Sequence, residues 1–327
     1  METFPPRRHR HDDNTSYSVY TECTATRPSQ FGFMMTGKIC AADISPSMAR
    51  QHTARSRSTT MTTQLTVSLA QTSVTRDPQE NLRTARRFIQ QAVARETDLI
   101  VFPEMFMALP QKGISLTAVA EPIDGPFVSA LSAMAAEHRV AIICGIWQTV
   151  QGDAQRAANV VIAIAPDGAL LARYNKVHLF DALSIRESDL MLGGDTPPPV
   201  FTLKGIVLGI AICYDLRFPE LFRNLALRGA EAVLVPSAWY AGTMKEEHWL
   251  TLLQARAIEN TMYVCGANLC GPAFAARTTI FDPFGVMLAG SGEGEALVTS
   301  QILHARIREV REKLPSLSHI RLNVFND

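Results

Sequence analysis

From residue 64 onward the hydrophobic positions keep two periods in turn. Leu65, Val67 and Leu69 alternate with Thr66 and Ser68, the period of two that suits a strand with one buried face. Leu82, Ala85, Phe88, Ile89 and Ala92 then recur at helical spacing and form one apolar stripe. Asp77-Pro-Gln-Glu80 supplies this helix with an N-cap, a proline in the first turn and a glutamate three residues after the cap. A short buried strand over 98–102 breaks at Pro103-Glu104, and a helix over 124–138 leads to a strand over 140–147. Residues 160–165 and 169–174, joined by Pro166-Asp-Gly168, read as a hairpin that ends at Asn175-Lys176.

Residues 180–199 lack a clear period and end in Gly193-Gly-Asp-Thr-Pro-Pro-Pro199, so they read as a surface loop carrying Glu187. Residues 206–212 have the length and β-branched content of a strand buried on both faces, and the run stops at Cys213. A helix near 219–229, a strand over 232–236, a helix over 246–260 and a strand over 263–267 follow. Gly290-Ser-Gly-Glu-Gly294 lacks the spacing and the following helix of a phosphate loop, so it reads as a hairpin turn. Alternating strands and helices indicate an α/β fold.

Composition narrows the class of partner. Basic and acidic residues balance at 31 each, so no net field favours nucleic acid or an anionic membrane, and a small molecule is the expected ligand. A hydrophobic content of 47% supplies a sizeable core. The six cysteines form no CxxC pair, and Cys265 and Cys270 lack the companions of a zinc site, so free thiols and a reducing cytoplasm are expected. No apolar run reaches the ~18 residues of a spanning helix. Residues 1–60 are rich in Ser, Thr and scattered Arg without sustained periodicity, and read as a disordered or mis-assigned N-terminal extension. Folding is expected to begin near Met61, with 61–327 forming one domain.

Glu104, Lys176 and Cys213 each end a separate apolar strand in what reads as a single sheet system. Singly, an acid or a lysine at such a place is usually solvated, and a cysteine after an apolar strand is usually inert core. Together they can bring a base, a cation and a thiol to one cleft at the strand ends, where α/β sheets bind ligands. His178, two residues past Lys176 on an extended chain, shares its face and leaves a Cys-His arrangement open.

Phe102-Pro-Glu104, Tyr174-Asn-Lys-Val-His-Leu-Phe-Asp181, Glu187-Ser188 and Ile212-Cys-Tyr-Asp-Leu-Arg-Phe-Pro-Glu220 resemble, in order, the signatures of the nitrilase (carbon-nitrogen hydrolase) superfamily. The likeness spans roughly 64–320 and includes Arg256-Ala-Ile-Glu-Asn260 and Asp282-Pro-Phe-Gly285. The Cys-Tyr-Asp-x-Arg-Phe-Pro form is similar to the Nit branch. Asp181-Ala182, Ser237-Ala-Trp239 and Lys245-Glu-Glu-His-Trp249 look most like bacterial deaminated glutathione amidases.

The resemblance implies a four-layer αββα sandwich, commonly paired into an αββααββα homodimer, with neither metal nor other cofactor. It implies Cys213 as nucleophile, Glu104 as general base and acid, Lys176 with the Tyr214 amide as oxyanion donors, and Glu187 as an orienting second glutamate. Arg217 matches a position that binds substrate carboxylate in related amidases, against a structural ion pair with Asp215 or Glu220. Trp239, Tyr240, Lys245 and His248 fall where the superfamily shapes its acyl pocket, although a lone histidine such as His248 usually serves as a helix-terminal hydrogen-bonding group. The implied reaction yields 2-oxoglutarate and cysteinylglycine. The rivals are an ω-amidase acting on 2-oxoglutaramate, an N-carbamoyl amino acid hydrolase and a catalytically silent scaffold.

Overall fold

The Asp77 side chain accepts a hydrogen bond from the Gln79 amide at 2.8 Å, so the first helix starts where the cap and proline place it. In this computed structural model residues 63–111, 113–321 and 324 are described, and the reading of residues 1–60 lies outside the described residues. The first half runs β1 Gln64–Gln71, α1 Pro78–Val93, β2 Leu99–Val101, α2 Pro126–His138, β3 Ala141–Val150, β4 Asp153–Ile164 and β5 Leu170–Asn175. A small ribbon of β6 Asp181–Ala182 and β7 Ile185–Arg186 follows. The second half runs β8 Val200–Leu203, β9 Ile206–Ile210, α3 Pro219–Leu227, β10 Ala232–Ser237, α4 Lys245–Asn260 and β11 Tyr263–Asn268. It closes with β12 Thr279–Phe281, β13 Met287–Gly290, β14 Ala296–Leu303 and α5 His304–Lys313.

Two six-stranded sheets result, in the orders β14-β1-β2-β3-β4-β5 and β13-β12-β11-β10-β9-β8. Each has a parallel centre, β1-β2-β3 and β9-β10-β11, flanked by antiparallel strands. Side-chain alternation explains the layering. In the first sheet Leu65, Val67, Leu99, Val101, Ile143 and Val161 share one core with Leu208, Ile210, Leu234 and Val264 of the second. The intervening positions Ile100, Ile142, Cys144 and Ile162 point the other way, into a second core with Phe88, Ile89 and Leu131 of α1 and α2. On the far side Leu225 of α3 lies over Gly209, and Trp249 and Leu253 of α4 lie over Gly266, where a Cβ would meet them at 2.6–3.0 Å. The layers are therefore α, β, β, α, as the resemblance implied.

Three expectations change. Glu104 and Lys176 follow strands of the first sheet and Cys213 a strand of the second, so the cleft lies between two facing sheets and not on one sheet's edge. Gly290-Ser-Gly-Glu-Gly294 is not a hairpin turn, because β13 and β14 belong to different sheets. That crossover is held by Gln71, whose Nε2 donates to Gly292 O at 2.7 Å and Gly294 O at 2.6 Å. Residues 180–199 are not wholly a surface loop, because Glu187 sits in a 3-10 turn at 5% exposure.

Candidate active site

Glu104 follows β2 in a sharp turn, and the next residue, Met105, has φ +58°. Gly145 of β3 lies beneath it, where a Cβ would come within 2.7 Å of both Glu104 Cα and Pro103 O, so only glycine lets the two backbones approach. Lys176 leaves β5 with its amide donating to Asn159 O at 2.9 Å. Cys213 opens a 3-10 turn after β9 with φ +45°, a left-handed conformation that a non-glycine residue holds only where its surroundings enforce it. Enforcement comes from Asp215, fully buried, whose Oδ2 accepts from the Ile212 amide and the Tyr174 hydroxyl, both at 2.9 Å.

These backbones bring four reactive side chains together. Lys176 Nζ donates to Glu104 Oε1 at 2.8 Å and to Glu187 Oε1 and Oε2 at 3.1 and 2.8 Å. Glu104 also accepts from Asn159 Nδ2 at 2.7 Å and, through Oε2, from the Ala238 amide at 2.8 Å. Glu187 Oε2 further accepts from the Phe180 amide at 2.7 Å. Glu104 and Lys176 are buried, which a charged pair tolerates only when its hydrogen bonds are satisfied.

The electrostatics follow from burial and count of charge. Burial works against the Lys176 ammonium, but Glu104, Glu187 and Cys213 outweigh it and hold the pKa well above the usual lysine range. Burial raises Glu187, opposed by Lys176 and reinforced by Glu104. Burial also raises Cys213 well above an ordinary thiol; the charge of Glu104 adds to this, and Lys176 offsets only part. Cys213 is thus a neutral thiol at rest.

A narrow pocket opens at Cys213 and Glu187, walled by Phe180, Tyr214, Trp239, Tyr240 and Lys245. Lys245 Nζ stands 4.5 Å from the Trp239 ring centre and 5.2 Å from that of Phe180. Arg217 Cζ lies 4.9 Å from the same indole, and its Nη2 is 3.3 Å from His248 Nδ1. Among the described residues neither Lys245 nor Arg217 has a carboxylate within salt-bridge distance, so the alternative of an ion pair between Arg217 and Asp215 or Glu220 is absent. Burial, then Arg217, depresses the Lys245 pKa.

His178 is held by other partners: its Nδ1 lies 2.7 Å from Asp215 Oδ1 and its ring stacks on Phe218 with centres 3.6 Å apart. Asn159, Asp215 and Gly145 support the site in ways that reading residue by residue misses. A lone Asn between Ala158 and Val160 is the available signal for the first, since a polar residue inside an apolar strand must find a buried partner. Among the described residues no group of three or more His, Cys, Asp or Glu is placed to hold a metal ion.

Residues 66–312 match the family described as carbon-nitrogen hydrolase. A deaminated glutathione amidase of Escherichia coli O157:H7 is 36% identical over 256 residues, covering 78% of this chain and 97% of the relative. One from Synechocystis is 40% identical over 255 residues, covering 73% and 92%. Saccharomyces cerevisiae Nit3, a member of branch 10 of the nitrilase superfamily, superposes with a TM-score of 0.69 at 28% identity, covering 77% of this chain and 95% of that one.

Proposed function

The chain belongs to the carbon-nitrogen hydrolase family and is a hydrolase of carbon–nitrogen bonds, and from that premise we propose that Cys213 cleaves the amide of deaminated glutathione to 2-oxoglutarate and cysteinylglycine. The observation that carries the chemistry is the buried run of Glu104, Lys176 and Glu187, joined by hydrogen bonds of 2.8–3.1 Å, with Glu187 and Cys213 lining one pocket. The names of the bacterial relatives support the substrate.

Each step uses one of these contacts. The Cys213 sulfur attacks the amide carbon as Glu104 takes the thiol proton, because the free thiolate is disfavoured here. Negative charge moves to the carbonyl oxygen, which accepts from Lys176 Nζ and the Tyr214 amide. Losing one such donor costs about 10² to 10³ in rate. Glu104 then returns the proton to the departing nitrogen, the carbon–nitrogen bond breaks, and the dipeptide leaves as a free amine. A water, deprotonated by Glu104, attacks the thioester and releases the acid with the thiol reprotonated.

Glu187 holds the ammonium through both carboxylate oxygens, leaving Lys176 aimed between the two glutamates. Lys245 and Arg217, two basic residues without an acidic partner among the described residues, suit an acyl group that ends in a carboxylate. His248 steadies the Arg217 guanidinium.

No helix among the described residues is long and apolar enough to cross a membrane. The described cysteines are free, which supports a cytoplasmic location, and we read the chain as a homodimer whose mass light scattering would report. The test of function is a substrate panel. 2-Oxoglutarate should form from deaminated glutathione with a higher kcat/KM than from 2-oxoglutaramate, and an N-carbamoyl amino acid should release little ammonia. A preference for 2-oxoglutaramate would make the protein an ω-amidase, and no turnover of any of the three would leave only a scaffold.

A further inference from the structure

Asn159 touches both Glu104 and Lys176, and the reaction above does not use it. Its Nδ2 donates to Glu104 Oε1 at 2.7 Å, the oxygen that Lys176 Nζ also reaches at 2.8 Å. Its own carbonyl accepts from the Lys176 amide at 2.9 Å. One residue of β4 therefore grips the base through its side chain and the cation through its backbone. The strand register makes this rigid, because β4 pairs with β3 at Trp147–Asn159 and with β5 at Val160–Asn175.

The side chain is 1% exposed, and its Oδ1 has no partner among the described residues. An apolar residue would avoid that unpaired acceptor, which is costly in a protein interior. Rotating the amide to exchange its ends would turn Oδ1 onto the Glu104 carboxylate. The donor orientation is thus the one this position selects.

We propose that Asn159 is a positioning residue that fixes the Glu104 carboxylate against Lys176. It does so by supplying a neutral donor to the ionised form, which favours that form. The other titratable groups facing Glu104 are Lys176 after β5, Glu187 after β7, Cys213 after β9 and Tyr240 after β10, and all of them remain when Asn159 is changed. The proposal rests on Glu104 being the general base.

The experiment is the pH dependence of kcat/KM for amide hydrolysis, in the wild-type chain and in the Asn159→Ala and Asn159→Asp variants. Unfolding midpoints are measured alongside, and the aspartate variant keeps the side-chain volume. Without the donor, in the alanine variant, the acid limb should move up by about one pH unit and kcat should fall by about 10- to 100-fold. In the aspartate variant the limb should move further, because a like charge then faces Glu104. An acid limb unmoved in both variants, whatever the loss in rate, would reduce Asn159 to packing and overturn the proposal. A wild-type profile with no acid limb would instead sink the assignment of Glu104 as base.

Discussion

The Tyr174 hydroxyl donates to Asp215 Oδ2 at 2.9 Å, and this bond links the end of β5 in one sheet to the turn after β9 in the other. Tyr174 lies two residues before Lys176, and Asp215 two residues after Cys213. The bond therefore sets the distance between the strand that delivers the cation and the turn that delivers the thiol. Burial, then Asp215, pushes the Tyr174 pKa up, so the hydroxyl stays a donor at every pH the protein meets.

Tyr174→Phe removes that donor and leaves a buried carboxylate oxygen with one fewer partner. The variant should lose about 1–3 kcal/mol of stability in urea unfolding. It should also lose activity, because the Lys176 to Cys213 spacing loosens. Unchanged unfolding would show that the bond does not tie the sheets.

Glu104→Gln separates two quantities that usually move together. Glu104 raises the Cys213 pKa, so removing its charge should shift the alkylation midpoint of Cys213 to lower pH, although burial still holds it above an ordinary thiol. Amide turnover should nevertheless fall by about 10² to 10⁴, the usual worth of a general acid-base group. An alkylation midpoint that stays put would place the carboxylate charge away from the sulfur.

Gly145→Ala tests the support beneath the base. The added methyl would overlap Glu104 Cα and Pro103 O at 2.7 Å, so the turn carrying Glu104 must shift. A misplacement of about 1 Å costs roughly 10² in rate, whereas overpacking costs about 1–3 kcal/mol in stability. Steady-state kinetics on the variant should show kcat lower by about 10², and thermal unfolding should show a stability loss within that range; an unchanged kcat would mean that the turn carrying Glu104 does not shift.

Lys245→Met should act on binding of the charged end of the substrate. For an amide whose acyl group ends in a carboxylate, KM should rise about tenfold or more, while an uncharged amide of equal length should change little. Equal effects on both amides would assign Lys245 to packing between Trp239 and Phe180.

The strands and helices that position the site are readable in the amino-acid order because their periods are local. Asp77 and Pro78 start α1, and residues 206–212 run straight into Cys213. The pairing of those strands into two sheets is not a local property. Nothing between 170 and 210 in the amino-acid order says that β5 and β9 belong to different sheets, and the single-sheet reading fails there. The burial of Glu187, though not its identity as a site residue, escapes for a related reason: its turn looks polar, and its partner is a lysine delivered by another strand. The helix α5 is hard to see because its stripe is only Ile307 and Val310 among many charges. Glu104, Lys176 and Cys213 are legible because a reactive residue closing an apolar strand is visible in one dimension, whereas Asn159 and Asp215 show their roles only through hydrogen bonds to distant partners.

The most direct test of the central claim is rapid-quench mass spectrometry during amide turnover. An acyl group should appear on the peptide containing Cys213 at a rate no slower than kcat, with the amine product released in the same phase. Full turnover with no acyl group on Cys213 at any time, or with the acyl group on another residue, would contradict it.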